Sequence, residues 1–146
     1  MVASRLMMRR RSVTLSLLSA LAALFLSGCA KKTMVMPDLF PETAGAWHRT
    51  TISDPAAAGN PDHIEPETVE KVRAATYEGP GKLEVRAYQV TTPAVALEIV
   101  QRWNATPDTV LFNQDRFVVV LKWQNADRKA LQEFVAVIDG KLHRNK

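Results

Sequence analysis

An apolar run near the start of the chain separates a targeting segment from the part that can fold as a domain. The 14 residues from Val13 to Leu26 carry no charge and are mostly Leu, Ala, Val and Phe. A helix that crosses a bilayer needs about 20 apolar residues, whereas the apolar core of a secretory signal peptide has about 7–15. Four arginines and no acidic residue precede the run. The pattern therefore predicts a signal peptide.

The apolar run ends in the tetrapeptide Leu26-Ser27-Gly28-Cys29. This tetrapeptide resembles the lipobox of bacterial lipoproteins, in which small residues before the cysteine suit the narrow cleavage site of signal peptidase II. The resemblance implies that the Cys29 thiol takes a diacylglycerol thioether and that cleavage follows between Gly28 and Cys29. Because one acyl chain binds a membrane only reversibly, two or three chains such as palmitate are needed for a stable anchor. We expect residues 1–28 to be a lipoprotein signal peptide.

The same segment predicts where the protein resides. The resemblance implies an exported protein that is anchored by lipid on the periplasmic side of a membrane. In enterobacteria an Asp after the lipidated cysteine favours the inner membrane, and Ala30 in that place favours the outer membrane if the host is Gram-negative. Two alternatives remain open. They are an ordinary secretory signal, for which Ala20 to Ala23 offers a weak cleavage site, and a twin-arginine export signal.

Charge and cysteine content exclude several functions for the mature part. The signal-peptide arginines account for the whole formal charge of +4, so no basic excess remains for nucleic acid. Cys29 is the only cysteine, and its lipidation leaves none for a disulfide, a thiolate metal site or thiol catalysis. We expect residues 29–36 to be a lipidated tether and residues 37–146 to form a single domain.

The mature part alternates strand and helix patterns. Thr92 is a candidate N-cap, Pro93 suits the first helical position, and Asn125 is a candidate cap for a final helix. The predicted elements are strands at 47–52, 69–77, 82–90, 109–112 and 116–123 and helices at 93–104 and after 125. A strand–strand–helix order thus occurs twice. It predicts an α+β fold, an antiparallel sheet with two helices packed on one face.

One strand is apolar on both sides, since Phe117-Val118-Val119-Val120-Leu121 lacks the alternation of a half-exposed strand. If Phe117, Val119 and Leu121 meet the helices, a second face needs a cover. That candidate contact face comprises Arg86, Tyr88, Val90, Val118, Val120 and Lys122. A partner or a second copy of the domain could cover it. We expect instead that the N-terminal segment, with Leu39, Phe40, Trp47 and Ile52, covers it.

No pattern for catalysis or metal binding emerges. The histidines His48, His63 and His143 are dispersed, and a zinc site uses three or four ligands, so we expect no metal and no cofactor. Asp62-His63 could begin a catalytic dyad, but Ser53 is the only serine after Cys29 and there is no G-x-S-x-G motif. The three tryptophans, at 47, 103 and 123, form a sugar- or lipid-stacking site only if they converge, and core packing is their commoner role.

The mature part also resembles a family of uncharacterised bacterial lipoproteins and exported domains over residues 46–142. The shared residues are Trp47, Ala75-Thr76-Tyr77-Glu78-Gly79 before a strand, and Gln101-Arg102-Trp103 late in the first helix. The resemblance implies a fold but no known activity. We expect a non-catalytic, lipid-anchored binding or assembly module with an envelope protein as partner. A carrier or sensor of an apolar ligand and a small envelope hydrolase are the alternatives.

Overall fold

The computed structural model describes residues 35–144, which contain six strands and two helices. The predicted signal peptide, the cleavage at Gly28 and the lipidated Cys29 lie outside the described residues. The strands are β1 (Thr43–Ala44), β2 (Trp47–Ser53), β3 (Val69–Gly79), β4 (Gly81–Val90), β5 (Thr109–Gln114) and β6 (Phe117–Gln124). The helices are α1 (Pro93–Arg102) and α2 (Arg128–Arg144), and a 3-10 turn spans Pro66–Thr68.

The strands form one antiparallel sheet in the order β1-β2-β3-β4-β6-β5, so the fold is α+β as expected. A tight hairpin joins β3 to β4, and its two glycines are required by the space around them. A Cβ at Gly79 would lie 2.3 Å from the Ala46 carbonyl oxygen. A Cβ at Gly81, whose φ is 147°, would lie 2.6 Å from the Gln124 carbonyl oxygen. Any side chain at either position would push neighbouring backbone apart.

The two helices lie on opposite faces of the sheet, so the prediction that both pack on one face is wrong. We call these the α1 face and the α2 face. The α2 face holds Leu83, Val85, Ala87, Phe117, Val119 and Leu121, which pack against Ala130, Phe134, Ile138 and Leu142 of α2. The α1 face holds Val72, Tyr88, Val90, Val118 and Val120, which pack against Ala96 of α1. Because β6 is apolar on both sides, each face needs its own cover.

We expected the N-terminal segment to cover the α1 face. It packs against the α2 face instead. Leu39, Phe40 and Trp47 are fully buried there, whereas Ile52 is 44% exposed. Met36 is also buried, so the predicted tether ends before residue 36.

Hydrogen bonds attach this segment to the sheet and to α2. The Tyr77 hydroxyl donates to the Pro41 carbonyl oxygen at 2.9 Å, and the Trp47 indole N–H donates to the Ala130 carbonyl oxygen at 3.1 Å. Arg49 donates to the carbonyl oxygen of Phe40. The segment is therefore an integral part of the α2-side core.

Candidate functional site

The loop 54–65, between β2 and the 3-10 turn, folds back over the α1 face. Asn60 organises it, because its side-chain amide donates to the carbonyl oxygens of Ala57 at 2.9 Å and of Ile64 at 2.7 Å. In return the Ile64 backbone N–H donates to Asn60 Oδ1 at 3.1 Å. Ile64 is buried in the α1-side core. This local structure holds the neighbouring Asp62 against the sheet.

Asp62, Arg86 and Tyr88 form a buried hydrogen-bonded group that we call the Asp62 cluster. Arg86 Nε donates to Asp62 Oδ2 at 2.6 Å, and Arg86 Nη2 donates to Asp62 Oδ1 at 2.9 Å. The Tyr88 hydroxyl donates to Asp62 Oδ2 at 2.5 Å. The side chains of Asp62 and Arg86 are only 7% and 13% exposed. A paired, bidentate contact of this kind satisfies the charges that burial would otherwise penalise.

The environment of the cluster raises the pKa values of Tyr88 and Arg86, so both side chains keep the protons that they donate. Burial raises the pKa of Tyr88, and the hydrogen bond to Asp62 raises it further. Burial alone would lower the pKa of Arg86, but the hydrogen bond and the negative charge of Asp62 outweigh burial and raise it. Tyr88 thus stays a neutral donor and Arg86 stays a cation. Glu84 accepts a further hydrogen bond from Arg86 Nη1 at 3.3 Å.

A cleft of about 560 Å³ opens beside the Asp62 cluster. Loop 54–65 supplies one wall, with His63 and Glu65, and the last turns of α1 supply the other. Arg86 and Lys122 line its floor. The α1 wall consists of Val95, Glu98, Ile99, Arg102 and Trp103. The volume falls within the range of roughly 300–1,000 Å³ that is usual for small-molecule sites.

Strand register explains why the cleft lies at this place. Val72, Tyr88 and Val118 are cross-strand neighbours in a buried row beneath α1, in which the Tyr88 hydroxyl is the only polar side-chain group. Four residues away along β4 and β6, Glu84 and Lys122 are paired in a polar row that α1 does not cover. The cleft occupies the boundary between the apolar and the polar half of the same face.

The predicted contact face is largely covered by the chain itself. Tyr88, Val90, Val118 and Val120 are fully buried, so the chain itself covers them, although the cover is not the expected N-terminal segment. The cover is instead α1, which packs over them. Arg86 and Lys122, the remaining two residues of that prediction, both line the cleft.

The other candidate residues are dispersed or differently engaged. Trp47 and Trp123 belong to the α2-side core and only Trp103 lines the cleft, so the three tryptophans do not converge. Both carboxylate oxygens of Asp62 bond to Arg86, and within residues 35–144 no hydrogen bond joins Asp62 to His63. The Asp62-His63 dyad, which the sequence already disfavoured, is therefore not formed in this structure.

The cleft also carries hydroxyl side chains. Its hydroxyl side chains are Thr68, Thr106 and Thr109, and the Thr68 hydroxyl donates to the Glu65 carbonyl oxygen at 2.7 Å. No serine lines it. In the part of the chain that the structure describes, no three His, Cys, Asp or Glu side chains gather as a metal-binding group. Between residues 35 and 144, neither helix combines the length and the apolarity of a membrane-crossing segment.

The two tyrosines of the chain provide a direct check on the burial of both cores. Burial raises the pKa of Tyr77 to about 12, and the pKa of Tyr88 is raised as well, from the ordinary value of about 10. Because the folded state holds these protons more tightly than the unfolded state, stability should be lost as pH rises through and above 10. We expect ultraviolet tyrosinate absorbance to appear only well above pH 10, whereas protein in guanidinium should titrate near 10. Half-maximal tyrosinate absorbance near pH 10 in the native protein would contradict this placement.

Comparisons with known proteins give no match. No protein-family model matches the chain, and neither a search of curated proteins nor a search of solved structures returns a similar protein.

Proposed function

We propose that this chain is a lipid-anchored protein of the cell envelope whose domain is a non-catalytic binding module, with the cleft as its binding site. In this proposal Cys29 carries the lipid, the domain lies on the periplasmic side, and the outer membrane is favoured in a Gram-negative host. The observation that carries the binding role is the cleft floor, where the Asp62 side chain is only 7% exposed and accepts hydrogen bonds from Arg86 and Tyr88.

A floor built this way favours binding because it is preorganised. Asp62 attaches loop 54–65 to β4, so the loop wall of the cleft is held against the floor before a ligand arrives. Ordering a loop on binding costs free energy, and a preformed site avoids that cost. In the strand–strand–helix order that we propose occurs twice, as β3-β4-α1 and β5-β6-α2, the cleft takes its helix from the first run and Thr109 and Lys122 from the second.

A carrier of an apolar ligand is the second candidate. Val95, Ile99 and Trp103 give the α1 wall an apolar character that supports it. The floor weighs against it, because an apolar ligand would cover Arg86 and Lys122 without offering them hydrogen bonds. The binding of a polar ligand or of a polar segment of an envelope protein therefore agrees better with the lining.

The proposed anchor would tether the domain to the membrane through a short segment. Seven residues lead from Cys29 to the buried Met36, and a fully extended segment of that length spans at most about 25 Å. The ligand or partner should therefore be a component that is present near the bilayer surface.

Photo-crosslinking in intact envelopes tests the binding role. A photoreactive amino acid replaces Thr106, which lines the cleft, or Gln132, which is exposed on α2 beyond the other sheet face. We expect a light-dependent adduct from position 106 that disappears with Asp62→Asn, and none from position 132. Equal adducts from both positions, or none from either, would reject the cleft as the binding site.

The anchor is tested in the same cells with Cys29→Ser. We expect the wild-type chain to take up a palmitate analogue and to fractionate with membranes. The variant should lose the label and remain an uncut precursor. Label retained on the variant would remove the lipoprotein proposal while leaving the crosslinking result to stand separately.

A further inference from the structure

We propose that the ligand of the cleft is an uncharged saccharide of one or two rings. This inference rests on the proposed binding function and names the chemical class of its ligand. Three features of the lining support it, namely an indole wall, internally compensated charges, and neutral polar side chains at the rim.

The indole wall is the side chain of Trp103, the residue that follows the end of α1. The Trp103 backbone N–H donates to the Val100 carbonyl oxygen at 3.3 Å, and the side chain is half-buried against the α1-side core. One part of the ring is thus held by packing while another part lines the cleft. A pyranose ring presents a face of C–H groups that can cover an aromatic ring, which buries apolar area and places positive C–H edges on the negative π-face.

The charges of the cleft are compensated within the protein. Asp62 pairs with Arg86, and Glu98 pairs with Arg102 at 2.6 Å. Glu65 and Lys122, an acidic and a basic residue that also line the cleft, are of opposite sign. An anionic ligand would meet the carboxylates and a cationic ligand would meet the guanidinium and ammonium groups. A neutral ligand avoids both penalties.

Hydrogen-bonding capacity nevertheless remains, and hydroxyl groups match it. Arg86 uses three of its five N–H donors on Asp62 and Glu84. Asn104, Thr106 and Thr109 add neutral groups that both donate and accept. Sugar hydroxyls also donate and accept, so they can satisfy this mixture where a purely acceptor ligand could not.

Isothermal titration calorimetry tests the proposal on the full-length chain, purified in a detergent without a sugar headgroup. The neutral probes are cellobiose, maltose and N,N′-diacetylchitobiose. Glucuronate and glucosamine are the charged probes, and acyclic mannitol is the polyol without a ring. We expect saturable binding of at least one neutral disaccharide and an affinity at least about tenfold weaker for the charged sugars and for mannitol.

Variants locate the binding. Trp103→Ala should weaken the affinity by about tenfold or more, and Trp103→Phe should recover part of it. Trp123→Phe, on the α2 face, is the matched control and should bind as the wild type. Thermal melting by circular dichroism verifies that each variant is folded.

Three outcomes overturn the saccharide proposal. The first is the absence of binding by every neutral disaccharide at millimolar concentration, and the second is tighter binding of a charged probe. The third is binding that Trp103→Ala leaves unchanged, since the sugar would then bind elsewhere on the protein. If the crosslink from position 106 persists in any of these cases, the binding function survives and only the ligand class is wrong.

Discussion

Replacing Asp62 with alanine should lower the free energy of unfolding by about 3–5 kcal/mol, the usual cost of removing one partner of a buried ion pair. The substitution leaves the guanidinium of Arg86 buried without its bidentate partner and leaves the Tyr88 hydroxyl without its acceptor. It also releases loop 54–65 from β4. Urea unfolding followed by circular dichroism measures the change.

Asp54→Ala is the matched control. Asp54 lies on the same loop and also forms two hydrogen bonds with a strand arginine, at 2.8 and 3.4 Å to Arg73. Its side chain, however, is 48% exposed, against 7% for Asp62. An exposed pair contributes about 0–1 kcal/mol, so this variant should be nearly as stable as the wild type.

A double variant separates loss of the pair from loss of packing. In Asp62→Leu with Arg86→Met no buried charge is left unpaired, and apolar replacement of a buried pair is often neutral. The double variant should therefore be clearly more stable than Asp62→Ala. Equal stability losses for Asp62→Ala and Asp54→Ala would show that the Asp62 cluster is not a buried pair in solution.

Replacing Phe134 with alanine should have an effect of similar size on the other side of the sheet, about 3–5 kcal/mol. Phe134 is fully buried in the α2-side core, which contains residues of the N-terminal segment, the sheet and α2. Its ring meets Trp47 edge-on at a centroid distance of 6.3 Å and Tyr77 at 4.8 Å. Such pairs add roughly 0.5–1.5 kcal/mol beyond the area they bury, so a cavity here also loses aromatic contacts.

Leu97→Ala provides the control for Phe134→Ala, since Leu97 is an apolar helical residue that is 50% exposed. A substitution of that kind changes stability by about 0.5 kcal/mol or less. If Phe134→Ala cost no more than Leu97→Ala, α2 would not be packed on the sheet as the structure has it. The midpoint of urea unfolding compares the two variants under the same conditions.

Local sequence signals located most elements. Thr92 and Pro93 predict a helix start, and Thr92 Oγ1 does accept a hydrogen bond from the Val95 backbone N–H at 3.2 Å. The final helix follows Asn125 but begins at Arg128, and its cap is Asp127, whose Oδ2 accepts from the Ala130 N–H at 2.9 Å. Asn125, the predicted cap, instead adopts a left-handed conformation with φ of 50°. Both side chains can cap, so the backbone path after β6 selects between them.

The amino-acid sequence predicted much less of the candidate site than of the fold. Asp62 lies 24 residues before Arg86, in a loop rich in proline, and no spacing pattern indicates that the two side chains meet. Arg86 and Lys122 were identified because alternation along two strands assigns them to one face. Trp103 could be placed near the end of α1, but its position beside those two residues depends on the face to which α1 packs.

The amino-acid pattern indicates where strands and helices run and that β6 needs cover on both sides. The reason is that the spacing of apolar residues identifies the side chains that face a core. It does not tell which element supplies each cover. α1, α2 and the segment from Met36 to Phe40 all offer apolar surface, and hydrophobic burial is non-directional. The allocation follows from the joint packing of all three with the sheet, which only the tertiary structure decides. That allocation leaves the polar half of the α1 face open and so creates the cleft.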